Sequence, residues 1–383
     1  MFTRSNAASI LATAIVLAAS SQDAIAGCPP DHVPVIYEVF SLAELSSALG
    51  NVCTGDTIVI KAGTYDVNSP IVIVSSTAFT IEGETGKGGE LLSILDGGNT
   101  SQIMIASAIN VTLRNLVFQN GRQFGNSATT GDGAAMRCVR LNLIEGCRFQ
   151  NNVASLGGGA VVFRGPQNTL VDGCVFLNNQ AMYAGAVFHA QDSTSNPTSP
   201  TILNSSFIDN TATGTGGAVA AGGSSPTYDG CTFSGNQNLV SPPSNWNWAG
   251  GGAMHFNAGG SPMVINSFFT DNSVAGGQCG GAIWVGSVTN PVVVGNLLFC
   301  NNTCNGNESN LSGFAYNNIG GNEICDLCPA DLNGDNVVNG GDLGLVVGYW
   351  DCCGANCLGD VNDDGCVNGV DLALVLGTWG PCP

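Results

Sequence analysis

Basic residues are scarce in this sequence: nine Lys and Arg stand against 28 Asp and Glu in 383 residues, a formal net charge of −19. Beyond Arg164 there is neither Lys nor Arg. Phosphate backbones and anionic membrane surfaces repel a chain of this charge, which argues against nucleic acid or an anionic membrane surface as a partner.

Long hydrophobic runs are also missing, except at the start of the chain. Arg4, the apolar run 10–19 and the small-x-small triplet Ala24-Ile25-Ala26 predict a signal peptide over residues 1–26. No later segment is long enough to span a bilayer. Sixteen cysteines fit export, because disulfides belong outside the cytosol. We therefore expect a secreted or cell-surface protein.

A lipoprotein is the alternative form of export. Ile25-Ala26-Gly27-Cys28 resembles a lipobox, which would place the lipid attachment at Cys28. The polar stretch 20–23 separates the apolar run from this cysteine and argues against the alternative.

What the sequence does contain is glycine, 54 residues of it, and two repeated phrases. Phe-x-x-Asn occurs six times, at 149–152, 176–179, 207–210, 233–236, 269–272 and 299–302. Between these copies recurs Gly-Gly-Ala followed by an apolar residue, at 158–161, 216–219, 251–254 and 280–283, with 184–187 as a variant. Self-similarity at a near-constant period predicts a solenoid.

The repeats are rich in Gly, Asn, Thr and Val, which favour strands and turns over helices. Apolar residues alternate after each Gly-Gly-Ala, the two-residue period of a strand. Two aligned columns are predicted to face the core: Met136, Val161, Val187, Val219, Met254 and Ile283, and then Cys138, Phe163, His189, Ala221, Phe256 and Val285. The mixed column between them is predicted to face solvent: Arg137, Val162, Phe188, Ala220, His255 and Trp284. Coils stacked in this way form a parallel β-helix, predicted for residues 27–324.

Both phrases resemble the repeats of the polymorphic outer-membrane-protein family, within the right-handed β-helix (pectin-lyase-like) superfamily. The run Gly55-Asp56-Thr57-Ile58-Val59-Ile60 also resembles the first coils of that superfamily. The resemblance implies an all-β, right-handed parallel β-helix solenoid. It says little about chemistry, because one fold hosts many functions.

Residues 33–120 are predicted to begin the solenoid. Phe40, Leu42, Leu45 and Leu49 form one stripe of a short helix, which Ser41 would cap. This helix would cover the open end of the first coil, where unpaired strand edges invite aggregation. Strand-like runs follow at 57–60, 71–74, 79–82, 103–106 and 111–118.

Catalytic residues of the kind this superfamily uses are not visible. Its lyases hold calcium with carboxylates beside a basic residue, and its hydrolases cluster Asp with His, Arg and Lys. Asp209 and Asp271 occupy equivalent positions two coils apart, roughly 10 Å, which would suit inverting carboxylates. Both lie in corners, however, where Asp is a common turn residue. His189 falls in an inward column, which predicts a core residue rather than a base.

The column predicted to face solvent offers a row of rings for a ligand. We predict Phe188, His255 and Trp284 as a ligand-binding face, with Trp246 and Trp248 from the long insertion 237–250. The expected ligand is a polysaccharide. The alternative for the insertion is a tryptophan pair that only packs its own loop.

Residues 325–383 contain a duplicated acidic loop. Oxygen donors recur at loop positions 1, 3, 5, 9 and 12, with a backbone carbonyl at 7, the pattern of an EF-hand calcium loop with Asp replacing the final Glu. The predicted ligands of the first site are Asp331, Asn333, Asp335, Val337, Asn339 and Asp342. Those of the second site are Asp360, Asn362, Asp364, Cys366, Asn368 and Asp371. An apolar, helix-like run follows each loop, at 343–350 and 372–379.

The duplication resembles a Cys-rich dockerin type I domain, a small α-helical EF-hand-like module. The resemblance implies two bound Ca²⁺ and a cohesin-like or other cell-surface anchoring partner. Asn336 stands where the sharp turn of the loop prefers Gly, so the first site is expected to be the weaker. Gly340-Gly341 and Gly369-Val370 depart from the residues that dockerins use to recognise cohesins, which leaves the partner open.

The cysteines fall into two groups. A module this small needs covalent cross-links for stability. Disulfides, whose pairing the sequence does not determine, are therefore predicted among Cys325, Cys328, Cys352, Cys353, Cys357, Cys366 and Cys382. Cys147, Cys174 and Cys231 share an inward column, where parallel Cβ vectors disfavour a bond. Buried thiols that act as small apolar groups are predicted there.

Two functions fit these patterns. The favoured one is an exported, non-catalytic β-helix whose surface binds or scaffolds, tethered through the calcium-binding module. The alternative is a polysaccharide lyase or glycoside hydrolase in polysaccharide catabolism, anchored by the same module. The shortage of basic residues favours the first.

Overall fold

The computed structural model describes residues 28–382 apart from 128–129, 166–167, 191–197, 241–249, 258–259, 277–278, 287–290, 314–315, 326–327, 334, 336, 355–356 and 363. The predicted signal peptide, Trp246, Trp248 and Asn336 therefore lie outside the described residues. The chain divides into two compact units. The first runs to Leu297 and includes Asn302–Gly321; the second consists of Leu298–Asn301 and Asn322–Pro383.

The first unit is a solenoid of stacked coils, whose strands form four parallel sheets named here in the order in which the chain passes through them. Sheet 1 stacks Ile36–Val39, Thr57–Ile60, Phe79–Gly83, Val111–Arg114, Leu143–Glu145, Leu170–Asp172, Thr201–Leu203, Thr227–Asp229, Met263–Ile265, Val292–Gly295 and Tyr316–Asn318. Sheet 2 stacks Gly63–Asp66, Ser93–Asp96, Val117–Gln119, Arg148–Gln150, Val175–Leu177, Ser206–Ile208, Thr232–Ser234 and Phe268–Thr270.

The two remaining sheets complete each coil. Sheet 3 stacks Arg122–Gln123, Val153–Ala154, Gln180–Tyr183, Thr211–Thr215, Gln237–Asn238, Ser273–Val274 and Thr303–Cys304, and ends on the antiparallel strand Asn307–Glu308. Sheet 4 stacks Ile71–Ser75, Met104–Ala108, Met136–Arg140, Val161–Arg164, Val187–Ala190, Val219–Gly222, Met254–Asn257, Ile283–Val285 and Leu311–Gly313.

Equivalent residues of successive coils lie opposite one another. Phe149 pairs with Phe176, and Val161 pairs with Val187. Every member of the two columns predicted to face the core is buried. The parallel β-helix and the repeat alignment are thereby confirmed.

The phrase Phe-x-x-Asn forms two continuous stacks inside the solenoid. The rings of Phe118, Phe149, Phe176, Phe207, Phe233 and Phe269 stack with centroids 4.7–5.0 Å apart. The amides of Asn152, Asn179, Asn210, Asn236, Asn272 and Asn302 form a fully buried ladder, each Nδ2 donating to the next Oδ1 over 2.8–3.0 Å. Each Nδ2 also donates to a phenylalanine carbonyl of the preceding coil, for example Asn210 to Phe176 over 2.9 Å. The amides thus have partners on both sides.

The corners explain why Gly, Asn and Asp recur at fixed places. The residue before each ladder asparagine has a left-handed backbone, for example Asn151 at φ 56° and Asp209 at φ 52°. A second such corner precedes Gly-Ala in sheet 4, where Gly158 and Gly216 have φ 62° and 57°. Asp209 and Asp271 (φ 55°) are turn residues of the first kind.

The start of the solenoid follows the prediction closely. Helix α1 spans Leu42–Leu49, and Ser41 caps it by accepting the N–H of Glu44 over 3.2 Å. Leu45 and Ala48 are buried, whereas Phe40 is exposed and does not belong to the apolar stripe. The predicted strands 57–60, 71–74, 79–82 and 103–106 are present within a residue or two.

One predicted strand is two. The run 111–118 divides at Asn115, whose left-handed backbone (φ 54°) turns the chain from sheet 1 into sheet 2.

The second unit holds two short helices, α2 at Gly340–Gly348 and α3 at Gly369–Gly377. A small core lies between them, formed by Ala330, Val338, Val346, Val361, Val367 and Val375. Val337–Val338 pairs antiparallel with Gly380–Pro381, and Leu298–Cys300 pairs in parallel with Glu323–Ile324.

The predicted disulfides of the C-terminal module are present. Cys328 bonds Cys382, Cys352 bonds Cys357 and Cys353 bonds Cys366. Cys325 finds its partner outside the predicted set, at Cys300.

Two disulfides of the first unit were not predicted, Cys28–Cys53 and Cys279–Cys304. The Cys28 sulfur is therefore bonded to Cys53, which contradicts lipid attachment at that position. The predicted buried thiols are confirmed: Cys147, Cys174 and Cys231 remain reduced. Burial raises the pKa of the Cys231 thiol to about 12, which keeps it protonated.

Candidate functional site

The predicted ligand face lies on the outer side of sheet 4, but it is not open to solvent as expected. Phe188, Ala220, His255 and Trp284 follow one another in register through successive coils. His255 is only 3% exposed and Trp284 only 2%. The prediction that this column faces solvent is wrong for these two side chains, and it is also wrong for Val162 and Ala220, which are buried.

The covering comes from the turns on either side of the sheet 4 strands. A methyl group at Gly157 would overlap the ring of Phe188, and one at Gly286 would overlap the ring of Trp284. Backbone therefore packs directly on the outer rings. The solvent exposure of a strand's outer face therefore depends on these turns as well as on the strand itself.

A cavity of about 190 Å³ opens in this face where the outer column carries its smallest side chain, Ala220. The floor of the cavity is the backbone and small side chains of Ala220, Ala221 and Gly222. The surrounding side chains come from three consecutive coils: Tyr183 and Phe188 from the preceding coil, Thr215 from the same coil, and His255 and Asn257 from the following coil. We refer to this cavity as the slot.

His255 has a defined protonation state at the slot. Its Nδ1 lies 3.2 Å from the Gly250 carbonyl, which can only accept, so Nδ1 carries the proton and Nε2 is an acceptor. One face of the ring stacks on Trp284 with centroids 4.7 Å apart. Burial lowers the pKa of His255 to about 4, so the ring is neutral at neutral pH.

Carboxylates are absent from the described lining of the slot. Arg164, on the same sheet, forms an ion pair with buried Asp132. The Asp132 carboxylate also accepts the N–H of Gly157 over 2.8 Å. This pair holds the turn over the sheet.

The other predicted candidates for catalysis are structural. His189 is fully buried, stacks on Phe163 and hydrogen-bonds Tyr228 Oη over 2.6 Å. Burial lowers its pKa to about 3. The expectation that it is a core residue is confirmed.

The two predicted calcium loops have the same architecture. Asn339 and Asn368 cap α2 and α3, and Asp342 and Asp371 return to the cap N–H groups over 2.8 Å to complete capping boxes. Position 12 is fully buried in both loops.

Within each loop the carboxylates accept backbone N–H groups. Asp331 accepts from Asp335, and Asp360 accepts from Asp364, both over 3.1 Å. Hydrogen bonds from the side chain of Asn362 and the backbone of Cys366 hold the pKa of Asp364 below its usual value. The donor set is all oxygen, which fits the hard cation Ca²⁺.

Two other groups of potential ligands meet closely in the described chain: His32, Cys53 and Asp56, and Cys328, Asp331 and Cys382. Their sulfurs are in disulfides, so they offer no thiolate to a metal.

Sequence reasoning missed Tyr183, Thr215 and Asn257, which lie outside the aligned column of rings. The signal that could have located the slot is Ala220, the smallest side chain in that column.

Comparison with known proteins identifies the fold. Residues 71–269 match the family described as the right-handed β-helix region, and the chain belongs to that family. An alginate lyase from Paenibacillus sp. str. FPU-7 is 13% identical, covers 76% of this chain and 97% of its own, and has a TM-score of 0.50.

Other similar structures are a rhamnogalacturonan lyase and the pectate lyase Pel9A. The rhamnogalacturonan lyase is 12% identical, with 89% and 98% of the two chains covered and a TM-score of 0.47. Pel9A is 12% identical, with 75% and 80% covered and a TM-score of 0.42. Identities this low show a shared fold and no more. No curated protein sequence matches the chain.

Two further observations bear on location. Six disulfides indicate an oxidising, extracellular environment. Within the described residues, no helix is long and apolar enough to cross a membrane.

Proposed function

We propose that this chain is an exported β-helix protein that binds carbohydrate without transforming it, and that its C-terminal module tethers it through bound calcium. The observation that carries the proposal is the slot on sheet 4. It is a largely apolar cavity beside the half-buried rings of Tyr183 and Phe188, and its described lining contains no carboxylate.

The lining suits a sugar. Aromatic rings stack on the apolar faces of ring-shaped ligands, while a few polar groups fix orientation at the edge. In the slot, Phe188 and Tyr183 supply the half-buried rings. Asn257, which is half-buried, supplies an amide that can bond a sugar hydroxyl.

The titratable groups at the slot are poorly suited to proton transfer at neutral pH. A general acid or base works best when its pKa is near the operating pH. Burial lowers the pKa of His255 to about 4, and burial raises the pKa of Tyr183 above its usual value. Both groups therefore favour binding over elimination or hydrolysis.

A polysaccharide lyase or glycoside hydrolase is the second candidate. The observation in its favour is His255 Nε2, an acceptor at the slot that could take a proton. If the chain is such an enzyme, His255→Gln should abolish product release while leaving binding within a few-fold.

The C-terminal module is proposed to be dockerin-like and to hold two Ca²⁺ through the twelve predicted loop positions. Bound calcium would neutralise the clustered carboxylates and fix both loops. The capping boxes at Asn339 and Asn368 support this, since they hold the last ligand of each loop in place. The anchoring partner is expected to be cohesin-like or another cell-surface component.

The test is a polysaccharide panel measured for both binding and product release. Phe188→Ala should weaken binding of any ligand at least tenfold. Phe124→Ala is the matched control, because Phe124 is an exposed ring away from the slot. Release of shortened or unsaturated products by the wild-type chain would favour the enzyme, and failure to bind any glycan would refute the proposed function.

A further inference from the structure

The strands of sheet 4 carry the charge opposite to that of the whole chain. All nine of them are described, and they contain three arginines, Arg137, Arg140 and Arg164, with no Asp or Glu. In a chain of net charge −19, the outer face of this sheet is therefore a local basic surface. The strands of sheet 1 have the opposite balance, with one arginine against five carboxylates: Arg114, and Glu38, Glu82, Glu145, Asp172 and Asp229.

A β-bulge brings two of the sheet 4 arginines to the same side. Arg137 pairs with Ile105, but Arg140 rather than Val139 pairs with Ser107, because the register shifts by one residue between them. The extra residue gives Arg140 the outward place that Val139 would otherwise fill. Ile105 and Ser107 are two positions apart on the neighbouring strand, so the arginines opposite them lie roughly 7 Å apart along the sheet.

Neither of these two arginines has a counter-ion among the described residues. Arg164 pairs with Asp132, whereas Arg137 and Arg140 take part in no ion pair of the described chain. Arg137 is half-buried, and its Nε is buried with no hydrogen-bond partner in the part of the chain that the structure describes. A guanidinium that has lost water without gaining an acceptor favours an incoming oxyanion. Arg140 is exposed, so an anion can reach the pair from solvent.

Apolar side chains lie beside the two arginines. Val72 and Val74, on the first strand of sheet 4, are 48% and 65% exposed, and Val72 shares the column of Ile105 and Arg137. In the other direction along this column, Phe188 at the slot lies two coils beyond Arg137, about 10 Å away. A basic site flanked by apolar side chains fits an acidic sugar, which presents C–H groups on its ring and an oxyanion on a substituent.

We propose that Arg137 and Arg140 bind an oxyanion of an acidic polysaccharide, either a carboxylate or a sulfate ester. This inference rests on the proposed carbohydrate-binding function and names its ligand class. A guanidinium can donate two parallel N–H groups to such an oxyanion. The net charge of the chain does not prevent binding, because the Debye length at physiological salt is about 8 Å and charges beyond it are largely screened.

The test compares acidic and neutral hexasaccharides on the full chain, by calorimetry in calcium-containing buffer at physiological salt. The probes are oligomannuronate for the carboxylate, a sulfated galactan for the sulfate, and the unsulfated galactan as the neutral chain. Arg140→Gln is the main variant, because an exposed side chain can be replaced without disturbing the fold. Arg148→Gln is the matched control: Arg148 is an exposed arginine of the same coil, on sheet 2, so the change in net charge is the same.

We expect at least one acidic hexasaccharide to bind about tenfold more tightly than the neutral one. Arg140→Gln should remove most of this preference and leave the neutral affinity unchanged, and Arg137→Gln should do the same. Arg148→Gln should bind like the wild type. The acidic probe that binds more tightly identifies the oxyanion as carboxylate or sulfate.

Three results would overturn the inference. One is a neutral hexasaccharide that binds as tightly as both acidic ones. Another is an acidic preference that survives both Arg137→Gln and Arg140→Gln, or that Arg148→Gln reduces equally, since net charge alone would then explain it. The third is tighter binding of polyglutamate than of either acidic glycan, which would make this surface a docking site for acidic protein. Neutral binding without an acidic preference leaves the proposed function standing, whereas failure of every glycan to bind refutes that function as well.

Discussion

At the scale of single residues, Ala184 occupies a corner where its equivalents are glycines. Its backbone is left-handed, with φ 58°, as are those of Gly158 and Gly216 at 62° and 57°. A methyl group at either glycine would overlap the carbonyl of the residue three positions on. Ala184 therefore retains backbone strain that the neighbouring coils avoid.

We predict that Ala184→Gly stabilises the protein by about 1 kcal/mol, the left-handed penalty of a non-glycine residue less the flexibility that glycine adds to the unfolded chain. Ala186→Gly in the same turn is the control and should destabilise, because Ala186 has no left-handed backbone to relieve. Denaturant unfolding of both variants measures the difference. A loss of stability in Ala184→Gly would show that the buried methyl outweighs the strain.

Acid should destabilise the solenoid through its buried histidines. His189, bonded to Tyr228, and His255, bonded to Gly250, have pKa values lowered to about 3 and about 4, against an ordinary value of 6.5. Below pH 6.5 the unfolded chain binds protons that the folded chain does not. The free energy of unfolding therefore falls as pH drops toward 4, by up to about 1.4 kcal/mol per pH unit for each histidine.

Unfolding free energies between pH 7 and pH 4.5 measure this slope. In His189→Gln the amide can still bond Tyr228 but cannot titrate, so the slope should become shallower. An identical slope in wild type and variant would mean that carboxylates alone determine the acid response.

At the scale of elements, the phenylalanine stack links coil to coil. Phe207 contacts Phe176 and Phe233 at 4.7 Å and meets Tyr228 edge-on at 5.9 Å. We predict that Phe207→Ala costs about 3–5 kcal/mol, as for a buried aromatic. Because coils contact only their neighbours, amide exchange should rise first in the coils on either side. Phe124→Ala should change little, and an equal loss in both variants would argue against the stack as the main support.

The sequence predicted the inner columns and not the outer one, for a physical reason. Inward side chains of successive coils pack on each other, so alignment of the repeats is enough to identify them. Exposure of His255 and Trp284 depends on the turns that fold over the strands, and the sequence gave no sign that Gly286 packs on the ring of Trp284. The asparagine ladder was missed because a polar corner residue is expected to face water. It is buried because Asn210 and its equivalents find partners in both neighbouring coils.

At the scale of the whole molecule, calcium should govern the C-terminal module. We predict that the full chain binds two Ca²⁺ in a calorimetric titration, and that the Asp342→Asn, Asp371→Asn double variant loses both. Asp209→Asn is the matched control, since Asn151 shows that asparagine is accepted at the equivalent corner. The carboxylates repel one another without the ion, so a chelator should lower the stability of the module specifically.

The calcium prediction has a clear contrary result. A chain that takes up no calcium, with amide exchange in α2 and α3 unaffected by a chelator, would leave the loops as acidic turns held by backbone hydrogen bonds and disulfides. This result is physically reasonable because the disulfides Cys328–Cys382 and Cys353–Cys366 join the loop regions independently of a metal.

The asparagine ladder contributes a net dipole along the solenoid axis. Every Oδ1 faces the preceding coil: Asn152 accepts there from Gly121, and Asn302 at the far end donates onward to Asn310. The amide carbonyl dipoles are therefore parallel and add along the axis.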